Sequence, residues 1–204
     1  MGKTSTNLAL AGRMPFMEKS TMFKLIIFVV ASAGIAFVSR ASLRAARSHG
    51  FYRFFAWETI LALVLLNVND WFRDPFSAHQ IVSWLMLILS AFLVVHGIHL
   101  LRKIGKPDSQ RNEAGPTIGF EKTTTLVQIG AFKYISHPLY SSLLFFAWGV
   151  FFKAPSWVGG ILALSATVFL VATAKVEEAE NIRFFGPAYQ TYMKHTKMFI
   201  PFLL

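Results

Sequence analysis

Apolar residues fall along this chain in long continuous runs, and short polar segments separate the runs. A membrane-spanning helix needs about 20 predominantly apolar residues. The pattern predicts five spans, at about residues 22–39, 54–68, 78–101, 138–152 and 157–174. The fourth run covers about 22 Å at 1.5 Å per residue, against a hydrocarbon core of about 30 Å. We therefore expect a short or tilted helix there, or one helped by Lys153 reaching outward to water.

The polar segments between these runs predict the topology. Residues 1–20 form a polar tail, and the arginines that follow the first run favour an anchor over a cleaved signal peptide. Basic residues concentrate in 40–53, in 102–136 and in the segment after 174, so these are expected on the cytoplasmic side. The N-terminus is then outside, although Lys3, Arg13 and Lys19 argue mildly against this. Gly186-Pro187 is expected to divide 175–197 into two short helices at the membrane surface.

Composition supports an all-α integral membrane fold. The chain is 54% hydrophobic and 15% charged, whereas soluble domains carry about 25% charged residues. A β-barrel would show short alternating segments instead. The net charge is +10, and the basic residues flank the apolar runs. This arrangement indicates the bilayer and its anionic headgroups as partners and argues against nucleic acid. Because cysteine is absent from the sequence, disulfides, thiolate metal sites and a cysteine nucleophile are excluded.

Two polar clusters flank the last pair of spans, which form a helical hairpin. His137 stands just before the fourth run with Pro138 at the first helical position, and Tyr140 follows one turn later. A helix N-terminus with free amides can receive an anionic group. The plainer alternative is a helix start with an interfacial aromatic anchor.

The second cluster follows the fifth run. Glu177, Glu178 and Glu180 lie next to hydrocarbon, where carboxylates are costly and tend to be functional. The alternative is a solvated exit from the membrane, paired with Lys175 and Arg183.

Other polar residues within the runs give weaker signals. His96 and His99 share a helix face, but no third ligand is evident, so a metal site is not expected. Glu58 faces either the bundle or the interface. The sequence contains no glycine-rich dinucleotide fingerprint, phosphate loop or Ser-His-Asp signature.

The order and spacing of the two clusters resemble the membrane methyltransferases, a superfamily that includes isoprenylcysteine carboxyl methyltransferase and the phospholipid N-methyltransferases. The resemblance covers about residues 120–204. It rests on Leu126-Val127-x-x-Gly130-x-x-x-Tyr134-x-x-His137-Pro138-x-Tyr140, then Glu177-Glu178, Phe185-Gly186-x-x-Tyr189-x-x-Tyr192 and Pro201.

The resemblance implies a division of the chain into a tail (1–20), three membrane helices with a cytoplasmic loop (21–125) and a cofactor-binding region (126–204). It implies S-adenosylmethionine as cofactor, bound at the cytoplasmic face. The residues that would line its pocket are Gly130, Tyr134, His137, Pro138 and Tyr140. Glu177 and Glu178 would close the pocket and act in catalysis, with Glu178 also contacting the cofactor.

The implied activity is methyl transfer to a lipidic or lipophilic acceptor, by in-line displacement in a water-poor pocket. An amine acceptor would need a base, for which Glu177 and Glu178 are candidates. The family commonly has arginine before His-Pro, but this chain has Ser136, which disfavours a prenylcysteine carboxylate as acceptor. Lys133 is a weaker substitute. Two alternatives stay open: an NADPH-dependent membrane sterol or enone reductase, and a non-enzymatic protein that retains the fold.

Overall fold

The computed structural model describes residues 16–106 and 123–202. Within these ranges the chain forms α-helices joined by turns, and no β-strand is present; Ile135 and Lys197 form an isolated parallel bridge. The helices are α1 (Phe16–Val38), α2 (Arg40–Arg44), α3 (His49–Asn67), α4 (Ala78–Lys103), α5 (Pro138–Phe151), α6 (Trp157–Phe185) and α7 (Pro187–His195).

Four of the described helices are long and apolar enough to cross a membrane: Lys19–Val38, His49–Asp70, Ala78–Lys103 and Trp157–Phe185. The apolar helix α5 is shorter, with 14 residues. The predicted all-α integral membrane fold is confirmed. The predicted tail and part of the 102–136 connection lie outside the described residues.

Helix α3 begins earlier than the apolar pattern predicts. Ser48 caps it, because the Ser48 hydroxyl accepts a hydrogen bond from the Phe51 N–H at 3.2 Å. His49 and Arg53 therefore lie within the helix, and both are buried, although the pattern placed them in a basic connection between two spans. This shift brings two polar side chains of α3 into the interior of the bundle.

Helix α6 continues without a break through the acidic segment to Phe185. The prediction of a separate short helix after residue 174 is therefore wrong, while α7 follows Gly186-Pro187 as predicted. The reason is local: no proline or glycine lies between 174 and 185, and Gly186 then turns the backbone at φ +62°. The glutamates consequently stand on a rigid helix.

The bundle packs α3 against α6 and α4 against α5. Ala56 of α3 and Ala163 and Ala166 of α6 are fully buried in the core of the bundle. Small side chains let membrane helices approach closely. This close packing fixes the rotation of α6, and with it the direction of each glutamate.

Polar side chains from α3 and α4 satisfy the C-terminal end of the short helix α5. The Asn67 amide donates to the carbonyl of Val150 at 2.9 Å, and the Ser83 hydroxyl donates to that of Gly149 at 2.7 Å. Carbonyls at a helix end have no intrahelical partner, so a buried end needs such donors. The helix can thus end within the protein.

Lys153 points inward rather than outward. Lys153 is 1% exposed, its ammonium donates to Gln80 Oε1 at 3.0 Å, and the ammonium lies 3.5 Å from the ring centroid of Trp84. Cation–π attraction and one hydrogen bond hold the charge there. Burial lowers the pKa of Lys153. The short α5 is therefore not extended by a snorkelling lysine.

Candidate active site

The C-terminal segment holds the chain that leads into α5. The Ser136 N–H donates to the carbonyl of Lys197 at 2.7 Å, and the His137 N–H donates to that of Met198 at 3.2 Å. The Ser141 hydroxyl donates to the carbonyl of Phe199 at 2.9 Å. Pro138 then begins the helix, where its missing N–H costs nothing. The position of His137 is therefore fixed by contacts that are distant in sequence.

A cleft opens beside this helix start, between α5, α6, α7 and the end of α4. Its free space, including the opening to solvent, is about 620 Å³. The cleft is lined by Leu101, Thr123, Leu126, Val127, Phe132, Ser136, His137, Pro138, Leu139, Tyr140, Glu177, Asn181, Phe185, Tyr189 and Tyr192.

The polar centre of the cleft joins the two sequence clusters. The Tyr140 hydroxyl donates a hydrogen bond to Glu177 Oε2. His137 Nδ1 lies 4.0 Å from Glu177 Oε1, and the rings of His137 and Tyr140 stack at 5.5 Å between centroids. Glu177 keeps 27% of its side chain exposed, whereas His137 is almost fully buried. The carboxylate is thus oriented by one hydroxyl and still faces the cleft.

Glu178 supports the site from outside the cleft. Its Oε1 lies 3.7 Å from His137 Nε2, and its Oε2 accepts a hydrogen bond from the Lys175 ammonium at 3.0 Å. His137 Nε2 is buried and makes no hydrogen bond within the described chain. The imidazole therefore lies between two carboxylates, one in the cleft and one behind it.

Helix α7 covers the cleft with two buried tyrosines. Burial, together with the nearby Glu177 carboxylate, raises the pKa of Tyr189, and burial raises that of Tyr192. Both are therefore neutral phenols at physiological pH. The Tyr192 hydroxyl donates to the carbonyl of Phe132 at 2.7 Å, which fastens α7 to the turn before α5.

Several lining residues escaped the sequence-based site prediction. Asn181 lies one helical turn after Glu177 and hydrogen-bonds Tyr189, and Phe185 stacks on Tyr189 at 6.3 Å. A signal was available in both cases. Residues four apart share a helix face, and Phe185 and Tyr189 belong to the aromatic motif without an assigned role.

Gly130 and Tyr134 do not line this cleft. They line a separate apolar cleft with Phe92, His96 and Phe145. Gly130 has φ +59°, and a Cβ there would collide with the His96 imidazole. The Ala131 N–H donates to His96 Nε2 at 3.4 Å, so this turn packs tightly on α4. A cofactor contact at Gly130 or Tyr134 stays a prediction.

Ser136 and Lys133 do not supply a cation to the cleft. The Ser136 hydroxyl donates to the carbonyl of Lys197 at 3.2 Å. The Lys133 ammonium lies 5.7 Å from the ring centroid of Tyr134, and Lys133 is exposed.

Metal ligation has little support in residues 16–106 and 123–202, where no group of three or more His, Asp or Glu side chains could hold an ion. His96 accepts the Ala131 N–H and stacks on Phe92. The polar centre of the cleft holds the Glu177 carboxylate, which can accept a proton or pair with a cation.

Two curated proteins are similar to this chain, and both are named methanethiol S-methyltransferase. The protein from Pseudomonas deceptionensis is 27% identical over 124 residues, which cover 60% of this chain and 43% of that protein. The protein from Pseudomonas sp. (strain GM41(2012)) is 23% identical over 150 residues, covering 72% and 54%. The chain thus spans about half the length of the curated relatives it matches.

No protein-family model and no solved structure matches the chain. The two relatives are distant homologues, and their names indicate a methyltransferase. The predicted resemblance to membrane methyltransferases is thereby confirmed.

Proposed function

We propose that this chain is an S-adenosylmethionine-dependent methyltransferase that modifies a lipophilic acceptor at the cytoplasmic face of a membrane. One observation carries the proposal. His137, Tyr140 and Glu177 converge in one cleft of a chain whose relatives are named methyltransferases.

The cleft residues fit this cofactor. S-adenosylmethionine carries a sulfonium, an ammonium, a carboxylate and a purine. Glu177 offers an anion for the cationic end, and the free amides of the first turn of α5 suit the carboxylate. Phe185 and Tyr189 offer aromatic surface for the purine. When bound, the cofactor supplies an electrophilic methyl group.

The chain's own residues would contribute positioning and proton transfer. Glu177, held by the Tyr140 hydroxyl, is the proton acceptor for a thiol or amine. Glu178 and Lys175 hold the His137 imidazole from behind. Apolar side chains of the cleft and the α7 tyrosines exclude water, which strengthens electrostatic interactions within the site.

A small thiol is the first acceptor to test. The relatives carry methanethiol in their names. Neither Ser136 nor Lys133 places in the cleft the cation that a carboxylate acceptor would favour. The cytoplasmic assignment rests on Arg40, Arg44 and Arg102, which stand at the ends of helices on this side of the bundle.

The test uses the full chain purified in detergent or lipid nanodiscs. We expect saturable binding of S-adenosylmethionine by calorimetry and transfer of radiolabelled methyl to methanethiol, giving dimethyl sulfide. Phosphatidylethanolamine and a prenylated cysteine serve as alternative acceptors. Glu177→Gln should lower kcat by about 10²-fold or more with a protonated acceptor, because it removes the base.

His99→Gln is the matched control, because His99 is exposed on α4 and does not line the cleft. It should behave as the unmodified chain. Stabilisation by NADPH, with no binding of S-adenosylmethionine, would refute the proposal and favour a reductase.

A further inference from the structure

A second histidine–carboxylate pair is buried where α3 meets α6. His49, the first residue of α3, is 1% exposed, and its Nδ1 lies 2.6 Å from Glu180 Oε2. An ionised carboxylate only accepts hydrogen bonds, so Nδ1 carries a proton. His49 Nε2 is also buried and makes no hydrogen bond within the described chain. Two helices far apart in sequence thus share one polar contact.

This pair adjoins the candidate active site. Glu180 lies three residues after Glu177 on α6, so the two side chains project from neighbouring positions of one helix face. Glu177 interacts electrostatically with both His137 and His49. His137 thus lies beside Glu177 at the cleft, and His49 lies beside Glu180, three residues further along α6.

We infer that His49 is a positioning residue of the proposed methyl-transfer site, which acts through its charge to keep Glu177 ionised and directed into the cleft. The inference rests on the proposed function. The charged and titratable groups that interact with Glu177 or His49 are Arg53 of α3, His137 and Tyr140 of α5, Glu180 of α6 and Tyr189 of α7.

The physical reason is the cost of holding a carboxylate in a partly buried place. Burial disfavours the charged form, and a positive neighbour within about 4–6 Å favours it. Glu180 supports the positive form of His49 through a hydrogen bond. Without His49, Glu177 keeps its burial but loses one positive neighbour, so it should ionise at higher pH.

Two substitutions distinguish charge from structure. His49→Gln can still donate a hydrogen bond to Glu180 but carries no charge, whereas His49→Lys carries a charge and can pair with it. We expect His49→Gln to move the acid limb of the pH profile of kcat/KM upward by about one pH unit. His49→Lys should keep the limb close to that of the unmodified chain, and His99→Gln should leave it unchanged.

The outcomes separate the two hypotheses. If the unmodified chain does not bind S-adenosylmethionine, both the proposed function and this inference fail. If the unmodified chain binds S-adenosylmethionine and His49→Gln leaves the acid limb of the kcat/KM profile unchanged, only this inference fails. A hydrogen bond from residue 49 to Glu180 is then enough, and the charge of His49 is not needed.

A second measurement covers the case in which His49→Gln does not fold. Nitrogen-15 NMR of histidine-labelled unmodified protein, assigned with the His49→Lys variant, reports the protonation state of His49. A doubly protonated His49 ring at the acid limb supports the inference, and a neutral ring throughout the active pH range overturns it.

Discussion

Replacing Gly130 by alanine separates a packing role of this residue from a cofactor contact. Gly130 lies in the turn before α5 with φ +59°, a conformation that costs an L-residue about 1–2 kcal/mol. A Cβ there would also stand 2.8 Å from Leu100 Cδ1 and still closer to His96 Nε2. The imidazole must therefore move away, and the Ala131 N–H then loses its acceptor at about 1 kcal/mol.

The sum gives an expected loss of about 2–3 kcal/mol in the free energy of unfolding. Thermal and denaturant unfolding in detergent measure it. Gly34→Ala is the control, because a Cβ there meets no described atom within 4 Å and alanine favours a helix. In a His96→Ala background the Gly130→Ala cost should fall by about 1 kcal/mol, leaving the backbone part and any adjustment of the Leu100 side chain.

Two results would contradict this reasoning. The first is a Gly130→Ala cost no larger than that of Gly34→Ala. The second is an equal cost with and without His96, which would show that the imidazole does not limit the space. A large loss of S-adenosylmethionine affinity in folded Gly130→Ala protein would instead support the cofactor contact that the family resemblance implies.

Three further substitutions test the contacts of Tyr140, Lys153 and Asn67. Tyr140→Phe removes the hydroxyl that orients Glu177, so kcat should fall by about 10-fold with little change in folding, as steady-state kinetics and thermal melts would show. Lys153 has a lowered pKa, so the unfolded chain binds more protons than the folded chain just below pH 10.5. Lys153 should therefore add a rise in stability with pH in that window, whereas Tyr189 and Tyr192, with raised pKa values, act in the opposite direction. Lys153→Met should remove the rising contribution and make the slope of stability against pH more negative in melts from about pH 7.5 to 10.5. Asn67→Ala removes one of the donors to the Val150 carbonyl, which keeps the Lys153 N–H at 3.1 Å, and should cost about 1 kcal/mol in chemical unfolding; an unchanged midpoint would show that the amide hydrogen bond adds nothing.

The sequence by itself determined the helices and the two polar clusters. Continuous apolar runs locate the spans, because a membrane helix must present apolar side chains over its whole length. Pro138 marks the start of α5 and Gly186-Pro187 the end of α6, since both act on the local backbone. These signals are local, and a single sequence contains them.

Only the tertiary structure decided which glutamate of the second cluster faces the cleft. Glu177 and Glu178 are neighbours in sequence, but successive residues of a helix project about 100° apart. The packing of α6 against α3 and α5 turns Glu177 into the cleft and Glu178 behind His137. The family resemblance made both candidate bases and favoured Glu178 for the cofactor contact, whereas Glu177 is the one that lines the cleft.

The structure also supplied partners that no local pattern indicates. Lys153 finds Gln80 and Trp84 inside the bundle, and His49 finds Glu180 on a helix 131 residues away in sequence. Local residue patterns fix which segments become helices, because that choice depends on nearby backbone and side chains. Which side chains meet depends on helix rotation and depth, which only the packing of the whole bundle sets.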